Sequence, residues 1–559
     1  MKKRHYIFII LTIIIFISSI YLNITTVASA EQRIITEKEN TPITELLPKK
    51  EEQETGVEQE TIVVKETNSY TNKELTIVII TPIIASISLI SLLFTSIGKL
   101  SIKETLSNKN RLVYGTLSLV LLCTLTSTTN VIITDNKILN SKNTINRNEK
   151  TVAILEVTKD KKINNIKEES KENDTSVLQI SNQSTYTASN IKLTKSNGIS
   201  TDIEVSEYFG LNSAAIIKDS STLELNNSNI STSSEYSSAL FLTGLGTTAT
   251  LSKVNLNTTN NNSNGISISE EGEITATELN LVTTGNNSSA IKTMDTNSTI
   301  NIKDSAINTE GTSSPLFYSN GKIEITNTKG TSLKSPIAII KGTNTITIED
   351  STLETFIEDQ EYLSAFYIYK EQSTGSSNDY NVSNLDISNS KITINKESTN
   401  YKTTPLFNVI NTKTKINITK TEFNYGSNIL LNATSQDEYN ISEITMTVTD
   451  QYLKGNIVTD EKSKIRLNLN NSTYKGAVNK DNKSKNIDIT FDAESKWILT
   501  GTSYVNTLTV TKKDLNNVRK YISSNGYNIY YNANNNEWLN GRTISLIGGG
   551  KLIPKYYKS

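Results

Sequence analysis

The chain has 559 residues, and 56 Lys+Arg against 57 Asp+Glu give a formal net charge of -1, which offers no basic footprint for nucleic acid. It contains 1 His and 1 Cys, His5 and Cys123. Everything after residue 123 therefore has neither imidazole nor thiol, which excludes Ser-His-Asp and Cys-His catalysis, His- or Cys-ligated zinc or iron, and an intrachain disulfide.

Residues 1–5 are basic, residues 6–22 are apolar and uncharged, and Ala28-Ser29-Ala30 follows. This order predicts a secretory signal peptide, residues 1–30, cut after Ala30; an uncleaved membrane anchor is the alternative. Residues 31–74 are polar and Glu-rich, the composition of a disordered extracytoplasmic segment. Residues 75–97 and 112–134 carry no charge, and about 20 apolar residues suffice to cross a bilayer. A hairpin of two transmembrane helices is thus expected within residues 75–134. Its short connection holds Lys99, Lys103, Lys109 and Arg111 against Glu104, which makes it cytoplasmic and places the chain from Asp135 onward outside. Residues 135–180 read as a charged linker with one strand-like insert at 152–157.

Beyond residue 181 the chain repeats. A small pair followed by an aliphatic or aromatic residue recurs, as in Ala214-Ala215-Ile216, Ser238-Ala239-Leu240, Asn264-Gly265-Ile266, Ser289-Ala290-Ile291 and Ser314-Pro315-Leu316. The steps between those last residues are 24, 26, 25 and 25. A second element alternates with period two, as in Ile300/Ile302, Ile323/Ile325 and Ile346/Ile348, and a short Ser-x-Ile element comes after it. Ile, Val and Thr are abundant and there are only 7 Pro, which favours strands over disorder. A strand alternating Ile with Asn, Thr or Lys has one face to bury and one to solvate. One such unit has too few apolar residues for a core, and stacking units in register supplies it. The expected fold is all-β: a parallel β-helix solenoid of about 20–30 residues per rung over residues 181–510, with a C-terminal cap at 511–559. Ile302, Ile325 and Ile348 should form one inward column.

The Ser-rich rungs resemble right-handed parallel β-helix proteins of the pectin-lyase-like type, and more specifically adhesin-like surface proteins and autotransporter passenger regions. Ser495-Lys496-Trp497-Ile498-Leu499-Thr500-Gly501-Thr502-Ser503-Tyr504-Val505 is similar to the Trp-x-Leu-Thr-Gly rung near the end of such passengers. Leu539-Asn540-Gly541-Arg542-Thr543-Ile544 and Gly548-Gly549-Gly550-Lys551-Leu552-Ile553 look like the closing segment of related surface proteins. The resemblance covers residues 181–554. It implies a right-handed coil and a surface role. No β-barrel sequence and no Leu-Pro-x-Thr-Gly anchor accompany the repeats, so retention is expected from the N-terminal hairpin.

Enzymes of this fold need convergent carboxylates, often with Ca²⁺, and an Arg or Lys base. The acids here are isolated. Asp219, Asp304 and Asp350 each precede Ser, which suggests the same turn in successive rungs, a turn role being favoured over a Ca²⁺ ladder. Arg466, Arg519 and Arg542 are the few late arginines of the repeats and cap. The one irregular step, from Phe366 to Leu406, leaves room for a loop at 370–384. Beside it Tyr367 and Tyr369 alternate with Phe366 and Ile368, which turns the two tyrosines outward as candidate ligand-binding residues; filling of a strand surface is the plainer role. The expectation is a non-catalytic adhesin-like or surface-structural protein at the cell membrane, its β-helix facing the exterior, with no catalytic residue, metal or cofactor. Its partners would be surface glycans or proteins of host or neighbouring cells, with the membrane held through the hairpin and no nucleic acid bound. A carbohydrate-active lyase or hydrolase, and a secreted form, are the alternatives.

Overall fold

Alternation along each strand builds the architecture. In the strand Lys322–Thr326, Ile323 and Ile325 are fully buried and Lys322 is exposed. The strand pairs in parallel with Thr299–Lys303 on one side and Thr345–Glu349 on the other, matching Ile302, Ile325 and Ile348 in register. The column continues through Ile387, Ile418, Val448 and Leu469, all buried. The computed structural model describes residues 151–556 except 359, 372–381, 437–439, 485 and 512–517. Over these residues the chain is an all-β parallel solenoid of about 15 turns. The expected signal peptide, acidic segment and hairpin lie outside the described residues. Among the described residues no helix is long and apolar enough to cross a membrane.

Each rung visits three faces. The first face stacks twelve strands from Val152–Val157 to Asn456–Thr459. The second runs from Lys161–Asn164 to Thr507–Val510, and the third starts at Lys167–Ser170 and ends at Ile522–Ser523. The strands Thr222–Thr232 and Thr248–Thr258 run unbroken around the corner between the second and third faces. Trp497 lies wholly inside, stacked on Tyr474 at 6.2 Å and on Phe491 at 6.5 Å, and its indole N–H donates to the Gly476 carbonyl at 2.9 Å.

The corner between the second and third faces explains the recurrent Asn-Ser and Asp-Ser pairs. Asn227, Asp304, Asn327, Asp350, Asn389 and Asn471 all have φ between 44° and 51°, the left-handed region that short polar side chains tolerate best after glycine. The next residue turns its hydroxyl to a backbone N–H of the previous rung: Thr328 N donates to Ser351 Oγ, and Ser351 N to Ser390 Oγ, both at 3.0 Å. These bonds occupy groups that the bend would otherwise orphan. Asp304 and Asp350 share this corner. Asp219 does not; it sits at φ 57° between the first-face strand Ala215–Ile217 and the second face.

Two expectations about the rungs are corrected. The first concerns where the coil begins. Val152–Val157, Lys161–Asn164 and Lys167–Ser170 form a rung below Thr175–Ile180, inside the span 135–180 expected to be linker. Its charge hid it. Lys162 and Lys167 point outward, Lys161 holds the register position of buried Tyr186, and Glu168 holds a position taken by Leu193 and Ile230 in the next rungs. Among the described residues this rung has a neighbour on one side only, and such a rung tolerates polar residues where inner rungs do not. The second correction concerns register. The paired series on the first face is Ala215, Leu240, Ile266, Ile291, Phe317, not one running through Ile216 and Leu316. Ser288 N donates to Ser314 Oγ at 2.9 Å, which sets Pro315 opposite Ser289 and moves the aromatic one place along. Within the expected cap, Ile529–Asn532 and Lys551–Lys555 continue the parallel stack, and Ile544–Ser545 closes it with an antiparallel pair.

Candidate functional site

The strand Phe366–Tyr369 places Phe366 and Ile368 in the core and leaves Tyr367 and Tyr369 half-buried on the outside of the first face. Tyr362, in the turn before the strand, sets its ring edge-on to Tyr367 at 5.1 Å, and Tyr367 meets Tyr369 at 5.5 Å. The Tyr369 hydroxyl lies 3.0 Å from that of Tyr318. Tyr318 stands two rungs earlier, joined through the register Tyr318, Ile339, Tyr367. Buried Ile339 fills the gap between the rings. Burial raises the phenol pKa of Tyr318 and Tyr367 above the ordinary tyrosine value, so both are neutral hydrogen-bonding groups at physiological pH. Beside Tyr369, Lys341 pairs with Glu371 at 2.5 Å. Residues 372–381 of the expected loop 370–384 lie outside the described residues.

One rung before Tyr318, Lys292 extends the row. Its ammonium lies 5.5 Å from the centre of the Tyr318 ring, and burial lowers its pKa below the usual lysine value while the Glu207 carboxylate opposes that shift. Lys292 also forms part of the wall of a cavity of about 190 Å³. The helix Ile203–Phe209, here α1, contributes Ser206 and Glu207 to the same cavity. Tyr236, Asn262 and Asn287 close it from the corner between the third and first faces, with φ of 52°, 55° and 53°.

The helix exists because one step of the coil is long: Leu178 pairs with Ala215 on the first face, and the extra chain lies over the outside. Asp202 caps its start, accepting from Val205 N at 3.1 Å. Gly210 ends it at φ 76°, where a β-carbon would sit 2.5 Å from Phe241 Cγ. Ile216 and Phe241 point outward from their strands yet are buried, and Phe241 packs directly against the Gly210 end of α1.

The acids do not converge. Asp304 accepts from Asn327 Nδ2 at 2.5 Å, and in the same corner Asp450 accepts from Asn471 Nδ2 at 2.7 Å. Carboxylates thus alternate with amides instead of facing one another. Among the described residues no group of three or more His, Cys, Asp or Glu could hold a metal ion. Arg466 lies on the second-face strand Lys464–Asn470, Arg519 in the short helix Val518–Tyr521 and Arg542 in the closing turn. These are three separate elements.

Tyr367 and Tyr369 were legible from alternation. Tyr318, Tyr362, Lys292 and Glu207 were not, because their contact depends on the register between rungs and on the long step. The one available signal was the pair Asp202 and Gly210, a cap at each end of a short helix. The chain matches no protein-family model, no curated protein and no solved structure. Its class is therefore given by its architecture, a parallel β-solenoid carrying an aromatic row on its first face.

Proposed function

We propose that the protein is a non-catalytic, membrane-tethered surface protein that binds a partner through the tyrosine row of its β-solenoid. The observation that carries this reading is the cluster of Tyr318, Tyr362, Tyr367 and Tyr369 on the outside of one sheet. Such rings bring large amphipathic contact area at low entropic cost. The solenoid holds them rigid, and the polar outer positions around them are suited to a glycan or a protein surface. The separation of the acids and arginines supports binding without turnover, since general acid–base chemistry needs convergent groups. The resemblance to adhesin-like proteins and the uncharged segments at 75–134 support a tethered, outward-facing setting.

The test displays the full chain on cells and measures adhesion to host cells, to other bacteria and to a glycan array. Tyr367→Ala with Tyr369→Ala should weaken adhesion by about tenfold, the loss expected for hot-spot aromatics, while the melting transition stays within a few degrees. Unchanged adhesion would remove the proposed site. Release of reducing-end or unsaturated sugar from a polysaccharide would replace this reading with a carbohydrate-active one.

A further inference from the structure

The cavity beneath α1 has a property that the tyrosine row lacks: two opposite charges face it without pairing. Lys292 sits on the sheet side, half-buried, its ammonium over the Tyr318 ring. Glu207 sits on the helix side at the exposed rim. The Glu207 carboxylate acts on the Lys292 ammonium, yet no ion pair joins the two among the described residues. A half-buried ammonium without an anion carries part of its desolvation cost uncompensated, and a ligand that brings an anion relieves it.

The rest of the wall is fixed in advance. Asn264 Oδ1 accepts from Ser289 N at 2.9 Å and its Nδ2 donates to Ser267 Oγ at 3.1 Å. Ser206 Oγ is engaged with Ser200 and the Asp202 carbonyl. Ser238 Oγ is bonded with Ser267 Oγ at 3.0 Å, and Asn262 Nδ2 donates to Glu235 at 3.2 Å, so the polar groups left to meet a ligand are Lys292, Glu207, the Tyr236 hydroxyl, the Asn287 amide and the Asn262 amide oxygen. The volume of about 190 Å³ equals roughly six waters at about 30 Å³ each. It falls below the roughly 300–1,000 Å³ of sites for drug-sized ligands. A group of few heavy atoms fits; a stretch of polymer does not.

We infer that this cavity binds a small zwitterion of the α-amino-acid type, its carboxylate against Lys292 and its ammonium against Glu207. A neutral monosaccharide would leave the Lys292 charge without an anion. A simple anion would meet Glu207 across the site. Only a ligand with both charges answers both walls, and Tyr236 and Asn287 remain to bond its side chain or its second carboxylate oxygen.

The experiment titrates the full-length protein with each common free amino acid, following melting temperature and heat of binding. The same amino acids blocked as N-acetyl derivatives or methyl esters, and glucose and N-acetylglucosamine as neutral rings, run in parallel. At least one free amino acid should bind saturably and raise the melting temperature. Either block should weaken it by about tenfold or more, the loss of one charge-assisted contact. Lys292→Met and Glu207→Gln should each lose binding to the same degree, and Lys292→Arg and Glu207→Asp should recover part of it. Melts without ligand report whether each variant is folded. The inference is overturned if no free amino acid binds, if blocked forms or neutral sugars bind as well, or if both charge-removing variants bind normally. Tyr367→Ala with Tyr369→Ala should leave amino-acid binding intact, which separates this site from the adhesive row.

Discussion

Ile325 and Glu324 are neighbours in one strand with opposite fates. Ile325 is stacked between Ile302 and Ile348 with no exposure. Glu324 lies outside and pairs with Lys322 at 2.7 Å, both side chains being well exposed. Ile325→Asp buries an unpaired charge between two isoleucines and should cost about 3–5 kcal/mol. Glu324→Ser removes a surface ion pair and should cost about 0.5 kcal/mol or less. Thermal or denaturant melts of the two variants check the assignment of faces. Lys195 makes a different point. It occupies an inward column whose other members include Ser170, Thr232, Thr258 and Thr283, and it is fully buried. Its ammonium donates to the carbonyls of Glu172 and Thr175. Burial lowers its pKa to about 8, opposed by Asp174 and Glu172, against roughly 10.4 in an unfolded chain. Between about pH 8 and 10 the unfolded state therefore holds the proton that the folded state has released, and stability rises with pH. Relative to Lys195→Met, the wild-type unfolding free energy should climb by about 1 kcal/mol per pH unit across that window, measured by denaturant titration at pH 7 and 9.5. The isoleucine columns could be read in the sequence because two-residue alternation is local. Lys195 could not, because a lysine beside a threonine looks solvated until the rung below supplies its carbonyls.

At the scale of elements, α1 is held by its ends and by what it covers. Gly210 adopts φ 76°, and the Phe241 ring fills the place of its missing side chain. Gly210→Ala adds left-handed strain of about 1–2 kcal/mol together with a clash that moves either the ring or the helix. A loss of about 2 kcal/mol or more is expected in a chemical melt, with increased proteolytic cleavage in α1 as the local readout. The same helix shows why sequence reading stopped short. Seven residues give too little periodicity to stand out in a strand-rich chain, and its apolar partner Phe241 lies on what alternation assigns as the solvent side. The corner columns were half legible. Asp304 and Asp350 fell together as the Asp-Ser pattern implied, whereas Asp219 precedes a serine in a corner of different geometry. The dipeptide marks a bend, and the length of the preceding strand decides which bend.

The coil is quasi-one-dimensional, its strands pairing each rung only with its neighbours. That property made the period visible in residues 181–510. It also produced the two misreadings, since the one-residue shift at Pro315 recurs in the next rung, where Ala338 and not Ile337 pairs with Phe317, and the first described rung need not look like the others. The topology expected from residues 1–134 is tested at this scale. A cysteine at Ser220, exposed on the coil, should be labelled on intact cells by an impermeant thiol reagent, and one at Ser107 should not, because four cations in a short loop resist translocation. Labelling in the reverse pattern would place the coil inside.

The two ends of the stack are closed differently, and this sets how it responds to load. At the C-terminal end Ile544–Ser545 pairs back on Lys551–Lys555. At the other end the first described strand shows Val152 and Ile154 about half exposed and, among the described residues, holds a neighbour on one side only. Tension entering at residue 151 would therefore reach the first described rung before the others and shear rungs in order from it. Each rung released frees chain length at roughly 3.3–3.6 Å per residue, so the coil yields in a train of small extensions rather than one rupture, and its outer aromatic row remains seated on intact rungs while the first ones pay out.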